Sequence, residues 1–408
     1  MIRLPLRLAS NGILQIMLLA FLPLWAVAAM QDGSVELRSS VDYVYGQTMN
    51  FNLAAGNVGD IRSVRLFFRL GSSPDSFSVD VPVTPDAQIE VTYSLDLTQT
   101  RLPPFSSITY WWELDRADDS PLRVPEQVVS YVDDRFTWQQ LVVTDEQGGG
   151  SVRIHWTGEE GSMGEQVQDT VFEMLPKIGR MAPLERIIPF DVYIYPSTSD
   201  LGAALRLAGR EYSPGATYPD LGVVLVTVVN QETAELELRQ GMSRGLVDLL
   251  LYQGLNQYAY NLPPWVSRGI AGVVRGRRDA ALDDALRSAV DNGTTIAVSE
   301  LCASTSVESD LAIAESESLI AYIEEHYGEG AVRELVMAFA AGEDCTTAMR
   351  RAFQLTPEQL ETGWLRAAGE DQGGRTVAEI AVWLILILAG FGLAGLLLIR
   401  PRRSRAGS

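Results

Sequence analysis

Histidine, cysteine and lysine are nearly missing from this chain of 408 residues, which has two histidines, two cysteines and a single lysine, Lys177. The histidines, His155 and His326, stand far apart, which rules out zinc sites built on clustered imidazoles. Cys302 and Cys345 are too few for a zinc knuckle or an iron–sulfur cluster. Positive charge is scarce as a whole: 32 Lys and Arg face 52 Asp and Glu, for a net charge of −20. Binding a polyanion requires clustered cations, so nucleic acid is excluded as a partner. What is abundant is apolar. A composition of 47% hydrophobic and 21% charged residues suits packed domains, and the length allows two or three of them.

The long hydrophobic runs lie at the two ends. Arg3 and Arg7 precede an apolar stretch from Ile13 to Leu24, and Ala26-Val27-Ala28 supplies a small-x-small cleavage pattern, so residues 1–28 read as a signal peptide. The alternative is an uncleaved anchor. Residues 380–399 carry no charge and are followed by Arg400, Arg402, Arg403 and Arg405. Twenty apolar residues at about 1.5 Å each span a bilayer core of about 30 Å, and the basic flank marks the cytoplasmic side. The expectation is a single-pass type I protein of the cell membrane, with its bulk extracytoplasmic and residues 400–408 as a cytoplasmic tail.

Between the ends two patterns follow one another. Residues 30–140 hold seven short segments of β character, several alternating apolar with polar, as in Phe77-Ser78-Val79-Asp80-Val81. Seven strands in such a span predict an all-β sandwich of immunoglobulin or fibronectin type III shape, with Trp111 and Trp112 as packing residues. After the loop at Gly148-Gly149-Gly150, residues 150–370 become an α+β domain. Strands are predicted at Val152–Trp156, Phe190–Tyr195 and Val223–Val229, a helix at Met163–Leu175, and almost continuous helix beyond residue 231.

Leu249-Leu250-Leu251-Tyr252-Gln253 followed by Leu262-Pro263-Pro264-Trp265-Val266-Ser267-Arg268-Gly269-Ile270-Ala271 resembles the active-site region of the peptidase MA-like (gluzincin-type) metallohydrolases. His326-Tyr327-Gly328, Thr347–Phe353 and Trp364 resemble that family's later helices. The resemblance implies a zincin-like fold and a zinc peptidase with His-Glu-x-x-His on one helix and a glutamate ligand on the next. Aligned from Tyr252 and Gln253, those ligand and base positions carry Arg244, Gly245, Asp248 and Arg268. Arginine stays protonated and has no lone pair to give, and glycine cannot take a proton. No catalytic residue, metal or cofactor is therefore expected, and the family member reads as degenerate. The resemblance also implies that Val223, Val224, Leu225 and Val226 form the edge strand before the metal helix, able to hold a peptide by strand addition.

Three smaller readings complete the list. His155 and His326 read as packing or capping residues. Gly241-Met242-Ser243-Arg244-Gly245 matches the G-x-S-x-G nucleophile elbow with His326 downstream, which keeps open a hydrolase using Ser243. That elbow needs a strand before the serine, and the segment there is polar and helix-forming. In an oxidising compartment two lone cysteines pair, so a Cys302–Cys345 disulfide is expected. The function expected overall is non-catalytic binding or scaffolding, with a protein or peptide ligand of unknown identity; the alternative is an active hydrolase.

Overall fold

The computed structural model describes residues 35–369 apart from 71–74, 85, 87, 119, 145–150, 159–161, 214, 229–233 and 277–278. The signal segment, the Gly148–Gly150 loop, the apolar run 380–399 and the basic tail lie outside the described residues. Among the described residues no helix is long and apolar enough to cross a membrane.

The N-terminal region is two antiparallel sheets on one core. The first has the order β1 (Glu36–Val44), β2 (Thr48–Gly56), β5 (Gln88–Asp96). The second runs β4 (Phe77–Val81), β3 (Ile61–Leu70), β6 (Ser106–Arg116), β7 (Pro121–Arg123), with β8 (Gln127–Tyr131) also on β6. Alternation decides which side chains face inward. Met49, Phe51 and Leu53 of β2 meet Leu66, Phe68, Trp112 and Leu114 of the opposite sheet. Trp112 is fully buried, while Trp111, one residue away, turns outward and stacks on Phe67 with ring centroids 5.2 Å apart.

A five-stranded mixed sheet follows, in the order β12 (Ala216–Tyr218), β13 (Val223–Thr227), β11 (Phe190–Tyr195), β10 (Ser151–Thr157), β9 (Trp138–Thr144). The inner strands β10, β11 and β13 are parallel, and the two outer strands are antiparallel to their neighbours. Residues 138–144, read from sequence as the end of the sandwich and a linker, are thus the first strand of this second sheet.

Helices cover one face of that sheet. These are α1 (Ser162–Met181), α3 (Ala234–Leu255), α4 (Pro264–Arg275), α5 (Ala280–Asn292), α6 (Val298–Ala303), α7 (Asp310–Tyr327), α8 (Glu329–Ala340), α9 (Cys345–Phe353) and α10 (357–369). Val192, Ile194, Val224 and Val226 point into the core these helices build. The intervening residues Tyr193, Tyr195, Val223 and Leu225 point the other way. They pack against α2 (Thr198–Leu207) and against Phe105 and Phe136, near the end of the N-terminal region.

The predicted edge strand needs correction. Val223, Val224, Leu225 and Val226 lie inside the sheet, between β12 and β11, and are at most 2% exposed. The outer strand on that side of the sheet is the three-residue β12. An uninterrupted apolar run marks a strand covered on both faces, which is an interior property.

Candidate functional site

The site is built by α3 and α4. On α3, Arg244, Gly245 and Asp248 fall at i, i+1 and i+4, so Arg244 and Asp248 share a face one turn apart. Pro264 starts α4, where its missing N–H costs nothing, and Arg268 stands on the first turns beyond it. Arg244 and Asp248 of α3 and Ser267 of α4 line a cleft of about 530 Å³ at the β12 edge, with Tyr218, Tyr252 and Tyr260 among others. An adjoining recess of about 240 Å³ is lined by Arg244, Asp248, Ser267, Arg268, Val307 and Glu308. That recess brings Arg244, Asp248 and Arg268 together.

Gly245 sits against the sheet instead. A Cβ there would come within 2.4 Å of Val224 Cγ1, and one at Gly241, a turn earlier, within 3.1 Å of Val226 Cγ1. The carbonyl of Gly245 accepts a hydrogen bond from the buried Thr217 hydroxyl at 3.2 Å. The two glycines let α3 lie directly on β12 and β13, and no side chain at residue 245 could reach the cleft without pushing the helix off the sheet.

Around Asp248 the floor is cationic, with Arg244, Arg268 and Arg210 all acting on its carboxyl. Burial pulls the Arg244 guanidinium down from its ordinary range, with Asp248 opposing. Arg268 is drawn down to about 10 by burial, the charge of Arg244 adding to the effect. Burial pushes the Asp248 carboxyl up, against the pull of Arg244 and Arg268 and of a hydrogen bond from Ser267. Among the described residues neither arginine makes a direct hydrogen bond to Asp248. Arg268 donates to the Val307 carbonyl at 3.3 Å. Zinc of the peptidase type requires imidazole and carboxylate donors, and guanidinium supplies neither. Among the described residues there is also no group of three or more His, Cys, Asp or Glu able to hold a metal ion. The residues present do not fit zinc.

The other candidates fall elsewhere. His155 on β10 is hydrogen-bonded to Asp191 at 2.8 Å and stacked on Tyr193 at 4.1 Å. His326 lies exposed at the end of α7, its Nδ1 3.0 Å from the Tyr322 carbonyl. Ser243 lies inside α3, 1% exposed, its hydroxyl donating to the Gln240 carbonyl at 3.2 Å. The nucleophile-elbow reading is therefore corrected: there is no strand before this serine and no strained turn at it. Cys302 and Cys345 form a disulfide.

Sequence reasoning missed Arg210, whose Nη1 donates to the Thr217 carbonyl of β12 at 2.6 Å and whose guanidinium lies 4.7 Å from the Tyr218 ring centroid. It also missed the aromatic wall, where Tyr252 and Tyr260 stand 5.9 Å apart. Tyr252 is part of the segment that carries the resemblance and could have been placed. Arg210 and Glu308 come from loops and left no periodic trace.

The C-terminal region is thus a mixed sheet with antiparallel outer strands and the helix pair α3 and α4 laid across it. Residues 170–368 match the family model of the Peptidase MA superfamily. A comparison with curated proteins finds no match. Among solved structures, a two-domain M1 zinc metallopeptidase mutant bound to L-tryptophan is similar at 10% identity, over 81% of this chain and 94% of its own, with a TM-score of 0.34. An M1 zinc metallopeptidase from Deinococcus radiodurans is similar at 12% identity, over 79% of this chain and 90% of its own, with a TM-score of 0.32.

Proposed function

We propose that this protein is a membrane-anchored, extracytoplasmic binding or scaffolding protein whose peptidase MA domain does not catalyse. The observation that carries the reading is the composition of the cleft: Arg244, Asp248 and Arg268 meet there, and Gly245 is closed against Val224. In this reading these four residues occupy the zinc-ligand and base positions of the superfamily, which leaves a shaped cleft without an electrophile or a base. The N-terminal sheets act as a spacer of immunoglobulin or fibronectin type III shape. The apolar run 380–399 is the single membrane span, supported by its length and by the arginines after it. The disulfide supports an oxidising compartment.

The test is metal analysis of the purified full-length chain by mass spectrometry, alongside incubation with casein and a peptide library. Zinc well below one atom per chain and no cleavage above blank are expected. One tightly held zinc with chelator-sensitive proteolysis would establish an active peptidase instead.

A further inference from the structure

The floor of the cleft holds more hydrogen-bond donors than it uses. A guanidinium carries five N–H groups in a planar fork. Among the described residues Arg244 makes no direct hydrogen bond, and Arg268 spends one on Val307. Both side chains are partly buried, where unmade hydrogen bonds and uncompensated charge are costly. Among the described residues the acid beside both is Asp248, while Arg210 adds a third cation to the cleft and Glu317 also acts on Arg268. Asp220 and Glu308 stand at the rims, exposed and screened by water.

Above the floor the character changes. Leu251, Tyr252, Tyr260 and Leu262 make an apolar wall, and Tyr260 is 72% exposed. Strand addition to β12 is hampered, because Arg210 already occupies the Thr217 carbonyl. An occupant of this cleft therefore docks end-on, with an anionic end at the bottom and apolar groups above it. A planar carboxylate matches the guanidinium fork.

We propose that the cleft receives the free C-terminal carboxylate of a peptide, seated between Arg244 and Arg268, with the preceding side chains against Tyr252 and Tyr260. The proposal rests on the non-catalytic reading above and names the ligand class of the same site.

Fluorescein-labelled, random-sequence short peptides ending in either a free carboxylate or a carboxamide are titrated by anisotropy against the purified full-length chain. The free-acid pool should bind roughly tenfold or more tighter, as expected for a charge-assisted hydrogen-bond pair. Arg268→Gln should erase that difference while its circular dichroism matches the wild type. If the variant does not fold, the two-pool comparison on the wild type decides alone. Equal binding of the pools, or binding of neither, overturns the proposal and leaves the non-catalytic reading intact. Amidated peptides with internal aspartate that bind as tightly as the free acids would overturn the terminal assignment. Cleaved probe, seen by mass spectrometry, would instead sink the non-catalytic reading.

Discussion

At Gly245 α3 lies against the sheet, and two opposed effects meet there. Replacing a helical glycine by alanine gains about 1 kcal/mol of helix propensity. The added methyl, however, would meet Val224 Cγ1 at 2.4 Å, and Val224 is fully buried with nowhere to swing. Overpacking of this kind costs about 1–3 kcal/mol, so Gly245→Ala should be destabilising on balance by urea unfolding. Val224→Ala should relieve it, making the double variant more stable than the sum of the singles predicts. A stabilised Gly245→Ala would show that α3 lifts off the sheet easily. Glu315, also on a helix of this region, gives a pH signature. Its side chain is fully buried and accepts the Ile296 N–H at 3.0 and 3.2 Å. Burial first, then the nearby carboxylates of Glu361 and Glu300, push it up to about 7 from 4.5. The folded state therefore binds more protons than the unfolded state between those values, and this contribution to stability falls as pH rises through that window. The loss is on the order of 3 kcal/mol, and Glu315→Gln should remove it, visible as a flatter dependence of the urea midpoint between acid and neutral pH. Parallel pH profiles for variant and wild type would contradict the assignment.

At the scale of elements, the disulfide joins α6 to the first residue of α9 across a sequence separation of 43. Closing a loop of that length restricts the unfolded chain, and on the entropic model the bond contributes roughly 3–4 kcal/mol. Replacing both cysteines by serine should lower the unfolding free energy by about that amount, and native unreduced protein should label with no thiol reagent. Full labelling at either cysteine would contradict the pairing. Strands and helices with strong periodicity were legible: Phe190–Tyr195 is β11 as read, and the helical run beyond residue 231 is α3 onward. Short elements were not. β12 has three residues, too few for an alternation to register, and it takes the edge position that the resemblance implied for Val223–Val226. The G-x-S-x-G match failed for a related reason, since a motif carries chemistry only in its strand–turn–helix setting, and here it sits within a continuous helix.

In the whole molecule the two regions are tied by contacts that no local pattern announces. Phe105 stacks on Tyr193 with ring centroids 3.4 Å apart, and fully buried Asp133 is paired with Arg135 at 2.6 Å and accepts the Tyr195 hydroxyl at 3.0 Å. Leu207 of α2 occupies the space a side chain at Gly46 would need, which is why that turn, at φ +69°, carries glycine. The resemblance was legible because the short segments around Tyr252 and Trp265 lie on two consecutive helices, and their spacing is a property of the chain alone. The poverty in histidine was likewise complete in the composition. By itself, then, the sequence determined the order of the regions, the helical run and the chemistry that residues 244, 245, 248 and 268 can offer. Only the tertiary structure decided that Arg244, Asp248 and Arg268 converge while Gly245 is sealed against Val224. It also decided that Arg210 and the tyrosines complete the cleft. Those relations join residues from separate elements, and their distances are set by how closely a helix can lie on a sheet, a packing quantity that no periodicity encodes.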